Sequence, residues 1–181
     1  MKILSKIFPI ITFLTILLMS CQNNHSTIEN KMQTTIDKVK RDKLVQKYDL
    51  LKFPNINQPV LLSIDEFFDG NNDEASFAPN VENKLPMSTY YKILKSLSQH
   101  PKTIATFVEL KDVMIYDNGQ LHDDEWFYTD IVYFVTDLTK EEIKEATKSL
   151  QPDEVEYDTE HEIKGLNEKY KDKNIVYVWW D

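Results

Sequence analysis

A single cysteine, Cys21, placed just after an apolar run from Ile7 to Met19, constrains this 181-residue chain more than any other feature. One thiol makes no internal disulfide and no cysteine-based zinc site. Whatever folds must therefore be held by an ordinary hydrophobic core. Apolar residues are 41% of the sequence and aromatic residues 12%, enough to build one. The run from Ile7 to Met19 is 13 residues long, whereas a membrane-spanning helix needs about 20. Lys2 and Lys6 precede it, with no acid. A basic start and a short apolar stretch read as the first two regions of a signal peptide, which takes no part in the mature fold.

The run ends in Leu18-Met19-Ser20-Cys21. This resembles the lipobox of bacterial lipoproteins, with Leu three positions before the cysteine and a small residue directly before it. The resemblance covers the leader alone. It implies cleavage after residue 20, thioether lipidation of Cys21 and acylation, of palmitate type, at the new amino terminus. One acyl chain anchors marginally, at about 0.8 kcal/mol per buried CH₂, and two or more anchor stably. The implied location is the cell envelope, on a bacterial membrane and facing outside the cytoplasm.

Charge divides the remainder. Residues 21–47 read as a lipidated N-terminus and basic tether, with Lys31, Lys38, Lys40, Arg41, Lys43 and Lys47 against Glu29, Asp37 and Asp42, a net of +3. Ile28, Met32, Ile36 and Val39 fall at helical spacing and predict a weak amphipathic helix. The tether acts as a solvated spacer, or its lysines touch anionic lipid. Residues 48–181 hold 27 acids against 13 bases, a net of −14, and read as one acidic domain able to fold alone. A surface so negative disfavours nucleic acid as a ligand.

Within the domain, Val60–Ile64 predicts a buried strand. A short helical turn over Asp65–Asp69, ended by Gly70, follows it. Ser88 opens a predicted helix to about Gln99, with Tyr90, Tyr91, Leu94 and Leu97 on one side. Thr103–Tyr116 predicts a strand with Ile104, Thr106, Val108 and Leu110 on one face, then a turn at Asp117–Gln120. Phe127–Val135 predicts the next strand. Thr139 with Glu142 forms a capping-box pattern opening a helix to about Leu150. Ile175–Trp180 predicts a terminal strand, and Glu154–Lys173 has no assignment. The order β-α-β-β-α-β predicts an α+β fold of the ferredoxin-like, split-βαβ kind, with two helices on a mainly antiparallel sheet. Its first and third strands would be central, and Val60–Ile64 and Ile131–Val135 are the most continuously apolar runs.

The densest chemistry lies at Ser63–Glu74, where Asp65, Glu66, Asp69, Asp73 and Glu74 surround Phe67 and Phe68. The string IDEFFDGNNDE (Ile64–Glu74), with LQPDEV (Leu150–Val155) and the final WWD (Trp179–Asp181), is similar to a set of small uncharacterised bacterial domains. That resemblance spans most of residues 48–181 and implies no catalytic residue. Asp69, Asn71 and Asp73 match the D-x-N-x-D start of a calcium loop. However, Glu74 stands where glycine is needed and Asn80 where a bidentate Glu belongs, so only a weak calcium site would result. His25, His100, His122 and His161 show no H-E-x-x-H or H-x-H spacing. His122 and His161 sit beside acids that would suit a metal or a general base only if folding joined them. No G-x-S-x-G turn is present and lipidation consumes the thiol, so no catalytic residue is assigned.

The function these features predict is a membrane-anchored binding protein without enzymatic activity, of inhibitor or immunity type. It would meet a basic partner through Asp65, Glu66, Asp69, Asp73 and Glu74, because acidic surfaces steer basic ones. The alternatives are a calcium- or metal-dependent envelope enzyme and a structural envelope lipoprotein.

Overall fold

The computed structural model describes residues 36–56, 58–159 and 166–181. The leader, the lipobox, Cys21, His25 and His161 lie outside the described residues. Helix α1, Lys38–Tyr48, is capped by the Asp37 side chain, which accepts from the Lys40 N–H at 3.1 Å. It ends at Asp49, whose φ of 56° is left-handed. A 3₁₀ turn, Leu50–Lys52, continues the chain towards strand β1, Leu61–Leu62. Helices α2, Ile64–Phe68, and α3, Met87–Ser98, precede strand β2, Thr103–Glu109. Strand β3 is Ile131–Thr136 and helix α4 is Lys140–Thr147. Strand β4, Glu154–Tyr157, helix α5, Leu166–Lys169, and strand β5, Asn174–Trp179, complete the order.

The strands form one sheet in the order β1-β2-β3-β5-β4, with every neighbouring pair antiparallel. The fold is thus α+β, but its order is not the ferredoxin-like one. In the split-βαβ arrangement β1 would be central; here it is an edge strand of two residues. The cause is local. Ser63 caps α2 by accepting from the Glu66 N–H, and Glu66 reaches back to the Ser63 N–H at 2.9 Å. That capping box starts a helix at Ile64 and cuts the strand short. Strand β3 is central as predicted, and all six of its residues are buried.

One sheet face carries the main core, in which Leu62, Val108, Val132, Phe134, Val176 and Val178 meet side chains of α1 to α4. The other face carries a smaller cluster of Ile131, Tyr133, Val135 and Ile175, with Leu166 and Tyr170 packed near it. Alternation along β3 supplies both, since successive side chains point to opposite faces.

Several predicted strands are shorter in the structure. Residues 110–130 leave the sheet as a hairpin arm, with an isolated pairing of Ile115 with Leu121 and the predicted turn at its tip. Gly119 supplies the positive φ there, 78°. A bulge between Thr103 and Ala105 disturbs the register of β2 and leaves Ile104 49% exposed, out of the predicted buried face. Residues 127–130 serve the loop before α3 instead of extending β3: Thr129 donates its N–H to the Ser76 carbonyl at 2.9 Å. The unassigned stretch contains β4, whose single buried Val155 stands between Glu154 and Glu156.

The predicted tether needs the largest revision. Its last twelve residues pack onto the domain, with Ile36, Arg41, Leu44 and Val45 buried. The compact unit that holds them is Gln33–Asp181, so the domain begins well before residue 48. Hydropathy concealed this because α1 is mostly polar, with only Leu44 and Val45 as its buried apolar residues.

Candidate functional site

The five acids singled out in the sequence lie around α2, yet they do different work. Asp65 accepts from Lys95 Nζ at 2.5 Å and from the Tyr91 hydroxyl at 3.0 Å. The Lys95 hydrogen bond, with help from Tyr91, holds its carboxyl below the usual range. Asp69 pairs with Lys40 at 2.6 Å. Both acids keep more than half of their side-chain surface exposed, 54% for Asp65 and 65% for Asp69. They line a cleft of about 400 Å³ together with Phe68, Gly70, Tyr91 and Lys95.

Glu66, Asp73 and Glu74 are building parts. Burial pushes the Glu66 carboxyl up, but hydrogen bonds from Lys47 and Ser63 outweigh it and leave it low. Asp73 accepts from the Ala75 N–H and, across the fold, from the Trp126 N–H, each at 3.0 Å. Glu74 accepts from the Met87 N–H at 3.3 Å, at the start of α3, where the helix leaves donors without partners. Lys84 lies close to Glu74, and burial lowers its pKa.

The three residues of the calcium-loop pattern are engaged within the fold. Asp69 faces Lys40 and Asp73 binds two backbone N–H groups. Asn71 is buried, donating to Ser76 Oγ at 2.9 Å and accepting from the Asp73 N–H at 3.0 Å. Among the described residues no group of three or more His, Cys, Asp or Glu could hold a metal ion. His100 accepts from the Lys102 N–H at 3.2 Å. His122 lies with Nδ1 2.8 Å from Glu125 and stacks on Tyr116, with ring centres 3.7 Å apart.

Tyr91 and Lys95 in the cleft, and Lys40 as the partner of Asp69, are the residues that sequence reasoning missed. The sequence groups Tyr91 with Tyr90, Leu94 and Leu97 on one side of α3; it sits on the cleft rim instead, beside Phe68 at 5.7 Å between ring centres. The four-residue spacing of Tyr91 and Lys95 was a usable signal, because it puts both on one helix face. Lys40 carried no such signal, since its acid is 29 positions away.

The three strings IDEFFDGNNDE, LQPDEV and WWD meet in the core. Phe67 and Phe68 contact Phe77, and Phe77 lies 5.1 Å from Trp180 and 5.2 Å from Tyr90 between ring centres. Trp180 Nε1 donates to the Leu150 carbonyl at 2.9 Å, and the Tyr90 hydroxyl reaches the same oxygen at 3.2 Å. Asp181 donates its N–H to Asp153 at 2.9 Å. These strings therefore specify how α2, α3, the end of α4 and the C-terminus lock together.

Fold and site together define an acidic α+β domain whose first helix is latched to the acid-rich turn of α2. The chain belongs to the Uncharacterized protein YfbO family, whose model matches residues 39–175. That span includes nearly all of α1, as the packing of this helix requires. No curated protein and no solved structure matches the chain.

Proposed function

We propose that the protein is a lipid-anchored lipoprotein of the cell envelope, facing outside the cytoplasm, with a domain that binds a basic partner without enzymatic activity. The anchor reading rests on Leu18-Met19-Ser20-Cys21 after a short apolar run. The binding reading rests on one observation: Asp65 and Asp69 stay more than half exposed on the rim of a cleft that also presents Tyr91. A basic side chain entering there would exchange with Lys95 and Lys40 for carboxylates already held in place. An inhibitor or immunity-type protein fits this arrangement, because a net of −14 over residues 48–181 speeds encounter with a cationic surface. Glu66, Asp73 and Glu74 are held in bonds within the fold and are not contact residues in this reading.

The test uses a lysine-rich peptide as probe, at low and at high salt. Reversing Asp65 and Asp69 to Lys should weaken binding at least tenfold more than reversing Glu141 and Glu145 on α4, although both variants change net charge equally. Equal losses would mean that net charge alone attracts the probe, and the cleft would lose its role.

A further inference from the structure

Helix α1 is held to the domain by polar pins with little apolar packing behind them. Lys40 bonds Asp69 at 2.6 Å, and the Asp37 N–H bonds the Gly70 carbonyl at 2.8 Å. Lys47 pairs with Glu66, and Lys38 reaches Asp123 at 2.9 Å. The only buried apolar residues of the helix are Leu44 and Val45. Exposed ion pairs add little to stability, and a free helix of 11 residues is marginal in water. An element with few buried apolar contacts opens locally, without unfolding of the whole. Strand β3, buried at all six residues, is of the opposite kind.

Gly70 shows how closely this helix approaches the cleft. A Cβ placed on Gly70 would stand 2.7 Å from Asp37 Cβ and 3.0 Å from Lys40 Cδ. The Lys40 stem therefore lies against a residue that lines the cleft, and its ammonium sits on the rim acid Asp69. An ammonium fixed there competes with an incoming cation at the high effective concentration of an intramolecular group. We infer that α1 is an autoinhibitory strap: docked, it occupies Asp69 in place of a basic partner, and its local opening bares that acid. The inference rests on the cleft reading above and names the regulation of that site. A partner that needs the open form binds with an apparent affinity scaled by the open fraction, so whatever lifts α1 tightens binding. Arg41 holds the strap shut from its other side, through the carbonyls of His122 and Glu125.

Hydrogen exchange of the full chain, read by mass spectrometry, and binding of the lysine-rich peptide at low salt test this together. The amides of Lys38–Tyr48 should exchange roughly thirtyfold faster than those of Ile131–Thr136. Arg41→Ala should speed exchange in α1 by about tenfold more and tighten peptide binding by a similar factor. Lys40→Gln, which frees Asp69 without removing the Arg41 pin, should also tighten binding. Lys144→Ala, an equal change of charge on α4, should do neither. A helix α1 that exchanges in step with β3 would overturn the strap. Faster exchange in Arg41→Ala, with peptide binding unchanged in both variants, would overturn it too and leave the cleft reading standing. A peptide that binds neither the unmodified chain nor either variant would remove the cleft reading, and the strap with it.

Discussion

The Arg41 guanidinium donates to the His122 carbonyl at 2.6 Å, joining positions 81 residues apart. The same nitrogen reaches the Glu125 carbonyl at 3.1 Å, while Nε and the other terminal nitrogen bind Asp42. This is the only arginine in the chain, and it is 4% exposed. It pins α1 to the returning limb of the hairpin arm with a planar, forked donor that lysine cannot reproduce.

Arg41→Ala should therefore destabilise the domain by about 2–3 kcal/mol, the scale for losing charged hydrogen bonds and leaving their acceptors unpaired. Urea unfolding of the full chain measures it. Arg41→Lys should recover less than half of the loss, because one ammonium cannot serve both carbonyls and Asp42.

Truncation gives a second expectation. A chain starting at Gln33 should unfold cooperatively, whereas one starting at Tyr48 should lose Ile36, Arg41, Leu44 and Val45 from the packed unit. Each fully buried aliphatic side chain contributes about 1.5–3 kcal/mol. The shorter chain should show a clearly lower unfolding midpoint and bind a hydrophobic dye. Equal midpoints would mean that α1 adds nothing to the core.

Acid should weaken the fold at identifiable carboxylates. Asp65 is held low by its hydrogen bond from Lys95, and Glu66 stays low despite burial because Lys47 and Ser63 donate to it. Lys38 lowers Asp123 in the same way. A depressed folded-state pKa contributes stability above the ordinary value and loses it as pH falls through the lowered one. The ordinary values are 3.8 for Asp and 4.5 for Glu. The melting temperature should thus hold above pH 4.5 and fall below it, and Glu66→Gln should flatten that fall. A profile unchanged by the substitution would remove Glu66 from the account.

At the C-terminus, Trp180 fills the core and its indole N–H satisfies the Leu150 carbonyl. Trp180→Phe should cost about 2–4 kcal/mol through a lost hydrogen bond and a cavity. Tyr90→Phe should cost about 1 kcal/mol, since only its hydroxyl bond to the same oxygen is removed. Measured as a double-mutant cycle, the two should couple, because each bond partly covers for the other.

Cys21→Ala should abolish lipid labelling and leave the leader uncleaved by the lipoprotein peptidase, since both steps need the thiol. Membrane-bound, lipid-labelled Cys21→Ala protein would remove the anchor from the proposed function.

Local chemistry was legible in the sequence because its partners lie within a few residues. The capping boxes Ser63–Glu66 and Thr139–Glu142 form as their spacing demands, and the turn at Asp117–Gln120 closes as its composition demands. The burial of β3 follows from six residues with no long charged side chain among them. What the sequence hid depends on distant pairing. Val155 alone betrays β4, since on this edge strand Glu154 stays in water and Glu156 pairs with Lys140 of α4. A helix cap ended β1 after two residues, and long-range pairing set the order of the sheet. The basic stretch before residue 48 and the acids of α2 looked like separate features, a tether and a contact loop. Tertiary structure made them partners, joining Lys40 to Asp69 and Lys47 to Glu66. Charge patterning in a sequence records how many of each sign a chain carries, but only the folded geometry decides which of them neutralise one another and which remain to meet something else.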